Sequence, residues 1–244
     1  MGMIVLWYMA GKKAPWNKGF NKFNHPSIQK ISCTLAAKPR SNFYFWQIKH
    51  RSKYRAIEKN KDLAELLGVI LGDGNIEVFP RTERLTVSCN SKNRGFINRY
   101  KDIIEKIFGK KVKCTKFKNS NCVRISIYQK LISERMGIPT GNRNKLKFKI
   151  PEWILKNKKF LICYLRGLFE AEGSFCVHKP TGTYKLFFCN QNKSLLENVY
   201  SSLILLGFHP NKSGYKIQIS KKEEIYKAKN LIKFRQYCNT CGVV

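Results

Sequence analysis

The sequence predicts an α+β fold of two pseudo-symmetric αββαββα repeats, each with one antiparallel sheet, preceded by a basic N-terminal arm. Three observations carry that expectation: an apolar nonapeptide that occurs twice, a similar alternation of helix-period and strand-period segments after each copy, and a change of composition near residue 62. The two copies read LLGVILGDG at residues 66–74 and LRGLFEAEG at residues 165–173.

Residues 1–61 hold ten Lys and three Arg against the single acid Glu58, with several aromatics and no sustained apolar period. They read as a basic arm, either an accessory nucleic-acid-binding segment or a solvated tail. The first repeat is placed at residues 62–145 and the second at 146–244, ending in a short tail. Asn60 and Asn157 stand where caps for the two nonapeptide helices are expected, because an Asn side-chain oxygen can accept from the first free amides of a helix. After Gly74, strand-like runs at 75–79 and 84–90 lead to a helix through about Phe108, strands at 112–117 and 122–128, and a helix at 131–136. After Gly173 come strands at 174–178 and 184–191, a helix at 194–206, a short run near Pro210, a strand at 215–220 and a helix at 223–234. Ile138-Pro139-Thr140-Gly141 and the basic stretch to Pro151 mark the linker between repeats.

Composition narrows the partners. There are 47 Lys and Arg against 15 Asp and Glu, a formal charge of +32 and a sequence pI near 10.0. That excess is far beyond what solubility requires and implies a polyanion, with nucleic acid the first expectation because basic residues run along the whole chain. No apolar run approaches the ~20 residues of a membrane span, so no membrane partner is expected. The apolar stretch 3–9 has neither a basic lead-in nor a small-residue cleavage site and reads as non-targeting. Nine Cys, odd in number and irregularly spaced, suggest reduced thiols in an intracellular protein. Cys238 and Cys241 form a CxxC pair, but no second pair or nearby His completes a tetrahedral zinc site. The four His, at 25, 50, 178 and 209, have no ligand spacing, and no Gly-rich phosphate loop suggests ATP.

The repeated nonapeptide carries the chemistry. Gly68 and Gly72 in one copy, and Gly167 and Ala171 in the other, lie four apart and share a helix face nearly bare of side chains. Two such helices can approach backbone to backbone. The next residue is acidic in both copies, Asp73 and Glu172, and the glycine after it can end the helix in the left-handed conformation. Close packing would bring both carboxylates together at helix C-termini, where the dipole is negative and carbonyls lack partners. That is a poor place for a bare carboxylate and a good one for a hard cation taking carboxylate, carbonyl, water and phosphate oxygens. A metal shared between the halves would suit phosphodiester hydrolysis.

Both nonapeptides resemble the LAGLIDADG signature of homing endonucleases, and two copies in one chain are similar to the family's single-chain members. The resemblance covers about residues 62–235. It implies Asp73 and Glu172 as the metal-binding acids, with Gly72 and Ala171 offering main-chain carbonyls to Mg²⁺ or Mn²⁺. The first copy departs from the signature in carrying Leu71 where the first acid stands; Glu170 keeps an acid there in the second copy, at a position that is not the family's metal ligand. The stretch 14–19 (APWNKG) resembles small nuclease-associated modules.

The strands add an independent argument. Arg84, Thr86, Ser88 and Asn90 alternate with Leu85, Val87 and Cys89; Arg124 and Ser126 alternate with Val123, Ile125 and Ile127; Lys216, Gln218 and Ser220 alternate with Tyr215, Ile217 and Ile219. Each set gives one core face and one polar face. The polar faces suit base edges in a major groove, although any antiparallel sheet exposes one polar face to water. By resemblance these strands form two saddle-like sheets along the duplex, and Arg124 and Lys216 polarise the scissile phosphate or organise the attacking water. Gln191 and Asn90 are further candidates for positioning that water. The resemblance implies a monomer that cuts both strands of double-stranded DNA at a long asymmetric site and leaves short 3′ overhangs. Two alternatives use the same fold: an RNA-splicing maturase, whose own intron RNA would be a partner, and a non-cleaving DNA-binding protein.

Overall fold

The structure is a computed structural model that describes residues 17–37, 56–141 and 146–237. The CxxC pair and most of the basic arm lie outside these residues. The chain divides into two compact units, Met1–Arg55 and Ala56–Val244. In the first, Pro26 opens a helix, α1 (Pro26–Ala37), which buries none of its residues. Sequence reading gave no helix here, because the segment has no sustained apolar period; Pro at the first helical position is the signal that was available.

In the second unit the elements run in the expected order, twice. The first repeat comprises α2 (Lys61–Asp73), β1 (Gly74–Phe79), β2 (Thr82–Asn90), α3 (Arg94–Phe108), β3 (Lys113–Lys116), β4 (Cys122–Gln129) and α4 (Ile132–Met136). After a short helix, α5 (Glu152–Leu155), the second comprises α6 (Lys158–Glu172), β5 (Gly173–His178), β6 (Thr183–Cys189), α7 (Lys193–Leu205), β7 (Asn211–Ser213), β8 (Lys216–Ile219) and α8 (Lys222–Ile232). Each repeat forms a four-stranded antiparallel sheet, ordered β1-β2-β4-β3 and β5-β6-β8-β7. The linker is tied down where it is described: Phe148 N donates to Ser194 Oγ at 2.9 Å, and Asn192 Nδ2 donates to the Leu146 carbonyl at 2.8 Å.

The caps form as the sequence suggests. Asn60 Oδ1 accepts from Leu63 N at 2.9 Å, and Asn157 Oδ1 from Lys159 N and Phe160 N at 2.9 and 3.4 Å. Helix α2 is buried from Leu63 through Leu71, which fits a helix apolar all round and wrapped on every side. Its main partner is α6. The apolar strand residues Leu85, Val87, Ile125 and Ile127, and Leu186, Phe188, Ile217 and Ile219, cover the core from the two sheets. Each contributes roughly 1.5–3 kcal/mol on burial.

Three expectations are corrected. Gly74 and Gly173 are not left-handed: both are extended (φ −94° and −82°) and begin the following strand. Their need for glycine is steric, since a β-carbon on Gly74 would lie 2.7 Å from Ile70 Cα and one on Gly173 2.5 Å from the Phe169 carbonyl oxygen. Thr86 lies on the polar face but is buried, because it sits on a central strand between Asn75 of β1 and Ser126 of β4. Strand β6 ends at Cys189, so Gln191 falls in the turn before α7 rather than on a strand.

Candidate metal centre and nucleic-acid interface

Helices α2 and α6 approach backbone to backbone where Gly68 meets Gly167. A β-carbon added at Gly68 would stand 2.2 Å from the Tyr164 carbonyl oxygen and 3.0 Å from Gly167 Cα; one at Gly167 would stand 2.0 Å from the Glu65 carbonyl oxygen. One turn on, a β-carbon at Gly72 would meet Ala171 Cβ at 2.3 Å and Glu172 Cγ at 3.4 Å. Each small residue thus meets its counterpart, and Asp73 and Glu172, the next residues along, are carried to the same end of the crossing. Ile70 and Phe169 carbonyls accept from the capping Gly74 and Gly173 amides. The carbonyls of Gly72 and Ala171 have no such partner within the helix, because the residues four further on already belong to strands.

The two acids differ in environment. Asp73 is exposed, whereas Glu172 is half-buried and its pKa is raised above 4.5 by loss of solvent, partly offset by a hydrogen bond from Asn190 Nδ2 to Glu172 Oε1 at 3.3 Å. Asn190 was not singled out from sequence, where the strand was extended to Gln191. Its register equivalent in the first repeat is Cys89, whose thiol is pushed up to about 12, first by burial, with Cys122 and Asp73 adding to the shift. Gln191 and Asn90, the expected water-positioning pair, are exposed.

Glu170 faces elsewhere. Its carboxylate accepts from Arg235 N at 2.8 Å and Tyr237 Oη at 2.6 Å, with Arg166 Nε at 3.7 Å. Glu65 accepts from Arg99 Nε and Nη2, both at 2.6 Å, and from Tyr100 Oη at 3.1 Å. These are buried structural carboxylates. Among the described residues no three His, Cys, Asp or Glu side chains gather around a point that could hold a metal, so a cation here would draw on two carboxylates, main-chain oxygens, water and phosphate. That donor set fits a hard ion such as Mg²⁺ or Mn²⁺. The seven cysteines of the described residues are unbridged.

The sheets begin at the acids, because β1 and β5 start at the residues after Asp73 and Glu172. Gly74 pairs with Val87 and Gly173 with Phe188, which superimposes the two registers. In the next row, the one each acid extends, Ser88 pairs with Arg124 and Cys189 with Lys216. Arg124 and Lys216 are therefore register equivalents, each in the row its acid extends, with Ser88 or Cys189 between. Each lies against a ring, Arg124 Cζ 4.4 Å from the Phe117 centroid and Lys216 Nζ 5.5 Å from that of Phe187. The first polar face carries Arg84, Thr86, Ser88, Asn90, Arg124 and Ser126, and pairing adds Asn75, Glu77, Lys113, Thr115 and Tyr128. On the second face Gln218 pairs with Phe187 and Asn211, and pairing adds Ser174 and Lys185, while Ser220 lies just past the end of β8. Strand parity around Ile76 and Leu186 already held Asn75, Glu77 and Lys185.

A family model, the LAGLIDADG-like domain, matches residues 159–239. That match lies within the second repeat and covers less than half of the chain. The chain shares its fold with solved LAGLIDADG proteins. It is similar to mesophilic variants of the homing endonuclease I-DmoI, at 19% identity and a TM-score of 0.50, over 70% of this chain and 90% of that one. It is also similar to an I-DmoI variant in complex with its target DNA in the presence of 2 mM Mg, at 23% identity and a TM-score of 0.50, over 71% and 96% of the two chains. No curated protein matches the sequence. No described helix of the chain is long and apolar enough to cross a membrane.

Proposed function

We propose that the chain is a divalent-metal-dependent endonuclease that cuts both strands of double-stranded DNA at a long, asymmetric site. The observation that carries this reading is the Gly72–Ala171 contact, which delivers Asp73 and Glu172 to one end of the helix crossing, where both polar sheet faces begin. Ionising a half-buried carboxylate is costly, and a bound cation offsets that cost. Asp73, Glu172 and the Gly72 and Ala171 carbonyls would hold Mg²⁺ or Mn²⁺, which when bound lowers the pKa of a water and neutralises charge on the scissile phosphate. Asn190 orients the Glu172 carboxylate. Arg124 and Lys216, one in each half, contact the phosphate and stabilise the charge that develops on its oxygens. The sheets hold the duplex through phosphate contacts from Lys and Arg and through base-edge contacts in the major groove.

The test is incubation of the full chain with a plasmid library of candidate insertion sites, with Mg²⁺ or with EDTA. Site-specific linear product that requires metal is expected. Asp73→Asn or Glu172→Gln is expected to lower double-strand cleavage by at least ~100-fold, since even outer partners of metal ligands are worth ~10–100-fold, while gel shifts retain most of the binding. Wild-type cutting by either variant would refute the metal assignment, and selective binding without cutting would mark a non-cleaving protein.

A further inference from the structure

Glu77 stands out on a surface meant for a polyanion. The chain carries +32, and the strands of the described residues contain two acids, Glu77 and Glu83. Glu83 is occupied with α4: its carboxylate accepts from Ser133 N at 2.7 Å and Ser133 Oγ at 2.8 Å. Glu77 lies on the polar face, directly opposite Arg84 and ion-paired to it. A carboxylate facing phosphates is repelled. An acid on this face is therefore compatible with DNA where base edges, not phosphates, meet the protein.

Arg84 is held in one pose. Its Nη2 donates to Glu77 and its Nη1 to Tyr128 Oη at 3.0 Å, and its guanidinium lies 5.4 and 5.7 Å from the Phe79 and Tyr128 ring centroids. Each Nη nitrogen carries a second hydrogen, and the Arg84 side chain is 29% exposed, so the fork keeps two donors beyond those spent on Glu77 and Tyr128. In the second repeat the register-equivalent pair is Lys185 opposite Cys176, which has neither the fork nor the acid.

We propose that Arg84 and Glu77 together read one G·C base pair in the major groove, on the first-repeat side of the site. Guanine presents two acceptors, O6 and N7, to the Arg84 fork, and cytosine presents its N4 amino donor to Glu77. An A·T pair offers a donor on the purine and an acceptor on the pyrimidine, the wrong sign at both points. Prior fixation of the fork by Glu77, Tyr128 and Phe79 removes part of the ordering cost of the contact. The contact occurs on one half alone, which makes the preferred site asymmetric. The inference rests on the site-specific DNA binding proposed above.

The experiment is selection of the full chain on a randomised duplex library with Ca²⁺ in place of Mg²⁺, for the wild type, Arg84→Lys and Glu77→Ala. The wild type is expected to enrich a motif with a strong G·C requirement on one side. Arg84→Lys, which keeps the charge and loses the fork, should weaken that single preference by ~10-fold or more, and Glu77→Ala should relax the same position and no other. Should Arg84→Lys fail to fold by circular dichroism, Tyr128→Phe, which deletes the 3.0 Å hydrogen bond, is expected to blur that same position. A motif unchanged by these substitutions would overturn the inference and leave DNA binding standing. So would a loss spread evenly over all positions with a salt slope smaller by ~1, the mark of a phosphate contact. A wild type that enriches no motif would overturn the parent reading.

Discussion

Burial of the Glu172 carboxylate raises its pKa above 4.5, and the Asn190 hydrogen bond only partly counters that. The folded protein therefore holds this proton more tightly than the unfolded chain. The stability associated with the neutral form is present at low pH and is lost as pH rises through the raised value. Metal-free Glu172→Gln is accordingly expected to melt at a higher temperature than the metal-free wild type at neutral pH, with the difference vanishing in acid; equal melting temperatures at neutral pH would contradict the burial argument. Asp73 and Glu172 could be singled out from sequence because each closes a copy of a repeated motif. Asn190 was not, since the expected strand runs through to Gln191 and the polar run 190–192 does not mark which of its amides turns toward Glu172.

Helices α2 and α6 owe their close crossing to residues that have almost no side chain. A methyl group on Gly68 or Gly167 would lie 2.2 or 2.0 Å from a main-chain oxygen of the other helix, and backbone cannot move aside as a side-chain tip can. Gly68→Ala or Gly167→Ala is expected to cost ~3 kcal/mol or more, read from the urea midpoint of either variant, whereas Ala at an exposed helical position should change little. The spacing of small residues made this crossing legible in the sequence. The conformation of Gly74 and Gly173 was misread, because a glycine after a helix is usually needed for its left-handed backbone, and here it is needed for a close approach to Ile70 and Phe169. Thr86 was likewise read as open to solvent from alternation, which reports a face but not how strands on either side close over it.

The two repeats are locked to each other by more than their central helices. Beyond α8 the chain runs back along α6 before it reaches the first repeat: Phe234 packs on Phe169 at 5.6 Å, Arg166 Nη2 donates to the Gln236 carbonyl at 2.9 Å, and Tyr237 Oη donates to Glu170 at 2.6 Å. The Tyr237 ring lies where a β-carbon on Gly95 of α3 would stand, 2.4 Å away. Tyr237→Phe removes a hydrogen bond to a buried carboxylate and is expected to cost ~1.5–3 kcal/mol, measured by thermal or urea unfolding, with little effect on DNA affinity at fixed salt. Repeat order and sheet faces could be read in advance because hydrophobic period reports them directly. The return of the chain to Gly95, and the network in which Glu65 meets Arg99 at 2.6 Å and Arg166 Nε at 3.6 Å, depend on contacts between residues far apart in sequence, which no local pattern encodes. The central claim is that the crossing places one metal-binding pair of acids under the duplex. Anomalous scattering from crystals of the chain grown with Mn²⁺ and its selected duplex tests it most directly: a Mn²⁺ peak within coordination distance of both the Asp73 and Glu172 carboxylates is expected, and peaks absent from that position, or present unchanged in Glu172→Gln, would contradict it.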